Sequence, residues 1–200
     1  MPPRKFGNRY KLLVYHDFWN RLWKPALFLG ALLAAIWWQA GTQNSPLIQT
    51  ANSPWVLLGA IVSLLMGVLA FLLRNMSYVQ PTDSYFRLVT PFLRLKISYR
   101  RVRTIHPIDL VQAFPPREQS WSQRRFLRTF YGETAVAVEL HGYPLSRMLL
   151  RLFLSPLIYL PQSTGFVFVV DDWMKLSTEL DARIASWQDR KKPRQRLPGV

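Results

Sequence analysis

Cysteine is absent from the 200-residue chain. That excludes disulfides, thiolate catalysis, iron–sulfur clusters and cysteine-based zinc sites. Histidine is scarce. His16, His106 and His141 lie far apart and show no ligand spacing such as HExxH. Also missing are the phosphate-cradling GxxxxGKS/T loop and the GxSxG nucleophile elbow. Glu133, Glu139 and His141 lie close in sequence, and Glu139 and His141 would share a strand face if the strand continued. An acid/base pair is conceivable there, but a satisfied surface pair beside a turn is the better account. The expectation is a non-enzymatic protein that carries no cofactor or metal.

Charge is missing from Pro25 to Leu73, a run of 49 residues. Residues 1–24 hold six basic residues and one acid, and from Arg74 onward there are twenty basic residues and ten acids. The net charge of +15 therefore averages two different materials. A charge-free stretch of that length suits a bilayer, where a spanning helix needs about 20 apolar residues. Two runs qualify, at about 22–41 and 54–73. The first reaches spanning length if Leu22 and Trp23 join it and Arg21 and Lys24 snorkel to the headgroups. Trp19, Trp23, Trp37, Trp38 and Trp55 sit near the ends, where indole rings favour the interface.

The link between the runs, TQNSPLIQTANS, is polar, uncharged and short, which implies an antiparallel hairpin. Arg4, Lys5, Arg9, Lys11, Arg21 and Lys24 precede it and Arg74 follows it. The positive-inside rule then places both termini in the cytoplasm, in a multi-pass protein of the cell's inner or plasma membrane. A cleaved signal peptide fits less well, because the apolar run starts late and ends in two tryptophans without a small-x-small site. Gly30, Gly59 and Gly67 allow close helix packing, within the pair or against a membrane-protein partner or a second copy. Two spans without an ionisable group are too few to form a transport path alone.

Four organisational segments follow. They are a basic N-terminal segment 1–24, a transmembrane hairpin 25–73, a cytoplasmic domain 76–188 with an insertion at 111–131, and a basic, disordered tail 189–200. Within the domain the period changes to two. SYFRLVT (84–90) and FLRLKISY (92–99) read as strands, the second with Leu93, Leu95, Ile97 and Tyr99 inward and Arg94, Lys96, Ser98 and Arg100 outward. Continuing it would bury Arg101 and Arg103, so a bulge or turn is expected at Arg100–Arg101. TAVAVEL (134–140) and RMLLRLFL (147–154) flank HGYPLS as a hairpin. An ordered loop then ends near Gly165, and GFVFVV supplies a last buried strand. Asp171 or Asp172 caps a closing helix whose apolar face is Trp173, Leu176, Leu180, Ile184 and Trp187.

Strands closed by one amphipathic helix and tethered behind a helical hairpin resemble the membrane-flanked bacterial pleckstrin-homology-like (PH-like) family. The resemblance covers about residues 55–187 and is carried by YVQPTDSYFRLV, FLRLKISYRRV with the following IHPI, and GFVFVVDDWMKLSTEL. It implies an α+β fold, a partly open, seven-strand-like barrel capped by the last helix, and a role in membrane-associated binding or scaffolding. It supplies no ligand residues.

Two groups are the candidate membrane or partner docking residues. One is Arg94, Lys96, Arg100 and Arg103. The other is Trp121, Arg124, Arg125 and Arg128 in the insertion, a basic–aromatic mixture suited to a membrane interface, or equally to a lid that packs its aromatics on the sheet. Lys and Arg near an anionic surface contribute about 1 kcal/mol each, enough for four to select one docked pose. A partner protein or anionic lipid headgroups would both meet such charges, and an accessory role in a larger membrane complex is the alternative. Nucleic acid is disfavoured, since part of the basicity belongs to membrane topology and no recognition motif appears.

Overall fold

A computed structural model describes residues 6–42 and 54–191. The N-terminal Arg4 and Lys5, most of the link between the apolar runs, and residues 192–200 of the tail lie outside them. The chain divides into two compact units, Val14–Ser77 and the residues on either side of it.

Unit Val14–Ser77 is a helix pair. Helix α1 is Leu13–Thr42 and α2 is Pro54–Leu73. Alpha-2 is the one helix among the described residues long and apolar enough to cross a membrane, by length and composition, with mean hydropathy 2.8. The first apolar run is only part of α1, which starts at Leu13 rather than near residue 22. Its first turns carry Asp17, Arg21 and Lys24, with Asp17 and Arg21 paired at 2.7 Å. The expected hairpin of two spans thus rests on one span by that measure.

The helices pack through small residues. Gly30 faces Leu64, Gly67 faces Leu27, and Ser63 donates its hydroxyl to the Ala26 carbonyl at 2.8 Å. Ala60, Gly67 and Ala70 are buried, whereas Phe28, Leu58, Leu65 and Leu72 are exposed. Large apolar groups outside and small ones inside reverse the layout of a water-soluble helix pair. At one end Arg74 lies 4.2 Å from the Phe71 ring centroid and 5.8 Å from that of Trp23.

The other unit is α+β, with two small antiparallel sheets. Strands β1 (Tyr10–Lys11), β2 (Tyr78–Pro81), β3 (Tyr85–Val89) and β4 (Arg94–Ser98) form the first, in that order. Strands β5 (Val102–Asp109), β6 (Thr134–Leu140) and β7 (Gly165–Phe168) form the second. A single 3-10 turn, Tyr99–Arg101, carries the chain from one sheet to the other, capped by the Ser98 hydroxyl. Here the expected change of phase occurs, and it leaves Arg101 and Arg103 exposed. Beta-4 alternates as expected, with Leu95 and Ile97 buried and Arg94, Lys96 and Ser98 exposed.

Between β5 and β6 the insertion folds as two short helices, α3 (Leu110–Ala113) and α4 (Trp121–Leu127). A capping box between Ser120 and Gln123 starts α4, which satisfies two of the backbone N–H groups a helix start leaves unpaired.

The segment expected as a strand at 147–154 is a helix, α5 (Arg147–Phe153). The expected hairpin could not form because β6 is the central strand of its sheet, already paired with β5 and β7. Ser146 caps α5 through the Leu149 N–H, and Leu150 and Leu154, four apart, are its buried residues.

Helix α6 (Trp173–Lys191) closes the unit, capped by Asp172, whose Oδ1 accepts from the Lys175 N–H at 3.0 Å. Hydrogen bonds from the Lys175 side chain and backbone hold the Asp172 carboxyl below its ordinary range. Leu176 and Leu180 are fully buried as α6 packs on β2, β5 and β6. Phe86 of the first sheet meets Phe168 of the second edge-to-face, with centroids 6.0 Å apart, so the core lies between the sheets.

A polar clasp ties α6 to the first sheet. Arg183 reaches Asp83 Oδ1 at 2.7 Å and Glu179 Oε1 at 3.0 Å, while Tyr10 donates to Glu179 Oε2 at 2.8 Å. Burial, then the Glu179 hydrogen bond and charge, push the Tyr10 phenol up to about 12. Burial also raises Tyr99, whose hydroxyl donates to the Thr82 carbonyl. An unfolded tyrosine ionises near pH 10 while these two stay protonated in the fold, so the unfolded chain binds fewer protons above that pH. The stability they contribute is present below about pH 10 and is lost as pH rises toward about 12. Thermal unfolding in detergent across that window should show a falling midpoint, and Tyr10→Phe should make the fall shallower. Equal slopes for both proteins would refute Tyr10 as a contributor.

Candidate docking surface

Alternation decides which side chains leave the first sheet. The register places Val79, Leu88 and Leu95 in one row and Pro81, Phe86 and Ile97 in another, all buried. The intervening rows are Lys11, Tyr78, Val89, Arg94 and Gln80, Arg87, Lys96. Strands β1–β4 contain no Asp or Glu. This face therefore has no acid within its strands; it is exposed at Lys11, Arg94 and Lys96, half-buried at Arg87 and buried at Gln80 and Val89.

Aromatic rings lie among these cations. The Arg9 guanidinium lies 5.0 Å from the Tyr78 centroid, Arg87 lies 6.0 Å from Phe6, and the Lys96 ammonium lies 5.8 Å from Tyr85. Arg87 Nη2 also donates to the Tyr85 hydroxyl at 3.5 Å. Each ring holds a cation over its face and limits its rotamers, which lowers the entropy cost of meeting an anion. The N-terminal strand is fastened here, since Gly7 N–H donates to the Pro81 carbonyl and Gln80 Nε2 donates to the Gly7 carbonyl, both at 2.9 Å.

The first group of expected docking residues is thus only partly brought together. Arg94 and Lys96 share the outer face of β4. Arg100 stands on the 3-10 turn, and Arg103 belongs to β5 in the other sheet. Arg9, Lys11 and Arg87 join the face without having been expected. The signal was present in Arg9-Tyr10-Lys11-Leu12, whose exposed and buried residues alternate as those of β4 do. In sequence alone these residues read equally as part of a basic segment that sets membrane topology.

The second group holds together on the insertion. Arg124, Arg125 and Arg128 are exposed, and Trp121 is 73% exposed with the Arg125 guanidinium 5.5 Å from its ring centroid. Leu127 and Phe130 are buried and fix α4 to the domain. The insertion therefore packs some of its apolar groups inward while presenting tryptophan and arginine outward.

The Glu139 and His141 pair does not assemble. Glu139 Oε1 accepts from the Ser163 hydroxyl at 3.0 Å, and β6 ends at Leu140, before His141. No cluster of three or more His, Asp or Glu side chains able to hold a metal occurs among the described residues. No family model, curated protein or solved structure matches the chain.

Proposed function

We propose that this is a bilayer-anchored, non-enzymatic binding module. Helices α1 and α2 form its transmembrane hairpin, both termini are cytoplasmic, and the two-sheet unit is a PH-like domain that captures an acidic segment of a partner protein. The anchor is supported by the hydropathy of α2, by the lack of charge from Pro25 to Leu73, and by large apolar side chains on the outside of the helix pair. The PH-like assignment is supported by a four-stranded and a three-stranded antiparallel sheet closed by the amphipathic α6.

The acid-free basic–aromatic face of β1–β4 carries the binding proposal. A polypeptide is favoured over headgroups there because β4 is an edge strand, paired on one side by β3. An added extended segment can hydrogen-bond to its free side while acidic side chains meet Arg94 and Lys96. Opposing like charges at such a contact cost several kcal/mol, so Arg94→Glu with Lys96→Glu should weaken capture more than tenfold. The check is a photo-crosslinker at position 96 of the full chain in native membranes. Crosslinks to one Asp/Glu-rich segment, lost on reversal at 94 but kept in Arg103→Glu, support the proposal. Crosslinks to phospholipid instead would overturn it in favour of headgroups.

A further inference from the structure

Helix α5 leaves its apolar residues on the wrong side for water. Leu150 and Leu154 are at most 2% exposed and hold the helix to the domain, yet Met148 is 86%, Leu152 74%, Leu149 50%, Leu145 42% and Phe153 39% exposed. Leu145, Leu149 and Phe153 follow one another at four-residue spacing, as do Met148 and Leu152, so they form one continuous stripe. Arg147 and Arg151, both exposed and one turn apart, border it. From His141 through Val170 the chain contains no Asp or Glu.

We propose that α5 is a wedge that seats in the anionic leaflet of the bilayer to which the chain is anchored. An interfacial helix buries an apolar face about 5–10 Å into the headgroup and acyl boundary while its basic residues meet anionic lipid. The exposed stripe supplies the first part and the two arginines, with long stems that reach back to the headgroups, supply the second. Seven residues make a helix too short to span, so the contact is shallow. A second copy of the chain is a poor occupant, since a two-fold contact would oppose Arg147 and Arg151 to their own duplicates. Anchorage keeps the leaflet at hand, so even weak seating becomes effective.

The wedge rests on the anchor part of the preceding proposal, and one experiment separates the two. The cysteine-free chain allows a single label at Leu152→Cys, or at Leu65→Cys on the outer surface of α2. Each full-length protein is labelled with an environment-sensitive fluorophore and reconstituted in phosphatidylcholine vesicles, with or without phosphatidylglycerol. Quenching is then read from lipids brominated high on the acyl chain for position 152 and near the chain end for position 65, which lies near the middle of α2. The expected result is quenching at 65 in both vesicles, and at 152 several-fold more with phosphatidylglycerol, lost in Arg147→Glu with Arg151→Glu. Quenching at 65 without any at 152 overturns the wedge and leaves the anchor standing. No quenching at either position overturns both. Quenching at 152 that ignores phosphatidylglycerol or the charge reversal overturns the anionic assignment. Shielding at 152 found only in native membranes identifies a protein occupant and overturns the wedge.

Discussion

Gly165→Val is expected to lower the thermal unfolding midpoint of the detergent-solubilised protein by about 10 °C. A Cβ at this position would lie 2.4 Å from the Val138 carbonyl oxygen and 3.0 Å from the Glu139 Cα. Both are backbone atoms of the central strand β6, so no side chain can swing away to make room. Either β7 moves off β6 or the pairing of Gly165 with Glu139 breaks. More than one pair is involved, because the Gly165 carbonyl accepts from the Leu160 N–H at 3.2 Å and the Leu140 N–H donates to the Thr164 carbonyl at 2.7 Å. Overpacking costs about 1–3 kcal/mol and more against fixed backbone, and for a chain of this size each kcal/mol moves the midpoint by about 2–4 °C. Gly142→Ala is the control, since nothing lies within 4 Å of its Cβ and its φ is not positive. That variant should be neutral or slightly stabilising. Equal losses in the two would mean the contact at Gly165 relaxes freely.

Position 165 opens the strand that follows RMLLRLFL, the segment whose helix differs from the strand its sequence suggests, and the difference has a physical reason. RMLLRLFL has six apolar residues among eight, too short a run for its periodicity to separate a strand from a helix. What decides is tertiary, because both edges of β6, the hairpin partner expected for the run, are occupied by β5 and β7. The cap at Ser146 was readable in principle but was read as part of a turn. By contrast, β4 was legible because its alternation is strict and its charges would otherwise be buried. The Arg100–Arg101 turn followed from the cost of that burial, and the Asp172 cap followed from an acid placed just before an apolar face of helical period. The face that carries the binding proposal was half legible. Arg94 and Lys96 belong to a strand with a clear pattern, while Arg9 precedes and Lys11 lies in a two-residue strand whose existence depends on β2, more than sixty residues later. The charge-free run identified the apolar helices, but not that α1 would begin at Leu13, because helix propensity continues through charged residues that hydropathy counts against a span.

The second large effect is expected in the helix pair. Cβ atoms at Gly30 and Gly67 would lie 2.7 Å from Leu64 Cγ and from Leu27 Cδ2, and 2.9 and 3.0 Å from the backbone nitrogens of the same leucines. The arrangement is reciprocal. On each helix a leucine precedes a glycine by three residues, and each leucine fills the gap left by the glycine opposite. Gly30→Val should therefore force the helices apart at the point where they come closest. In the bilayer proposed for this pair, packing between small residues rather than a hydrophobic drive would hold the helices together, so little else compensates. A Cβ at position 59 would lie 3.7 Å from Leu33 Cδ1, so with cysteines in place of Leu33 and Gly59 a short thiol-reactive cross-linker reports the approach. Gly30→Val should reduce the yield several-fold, and Gly67→Val should do the same through Leu27. Leu64→Ala added to Gly30→Val should recover part of the yield, since it removes the contacts with Leu64 Cγ and Cδ2 while the backbone nitrogen at 2.9 Å still presses on the new Cβ. It should do nothing for Gly67→Val, whose clash is with Leu27. That difference in rescue separates a specific knob-into-gap contact from a general loss of helix stability, because a valine that merely weakened its own helix would respond to neither leucine. A rescue of both variants by Leu64→Ala, or of neither, would refute the reciprocal packing.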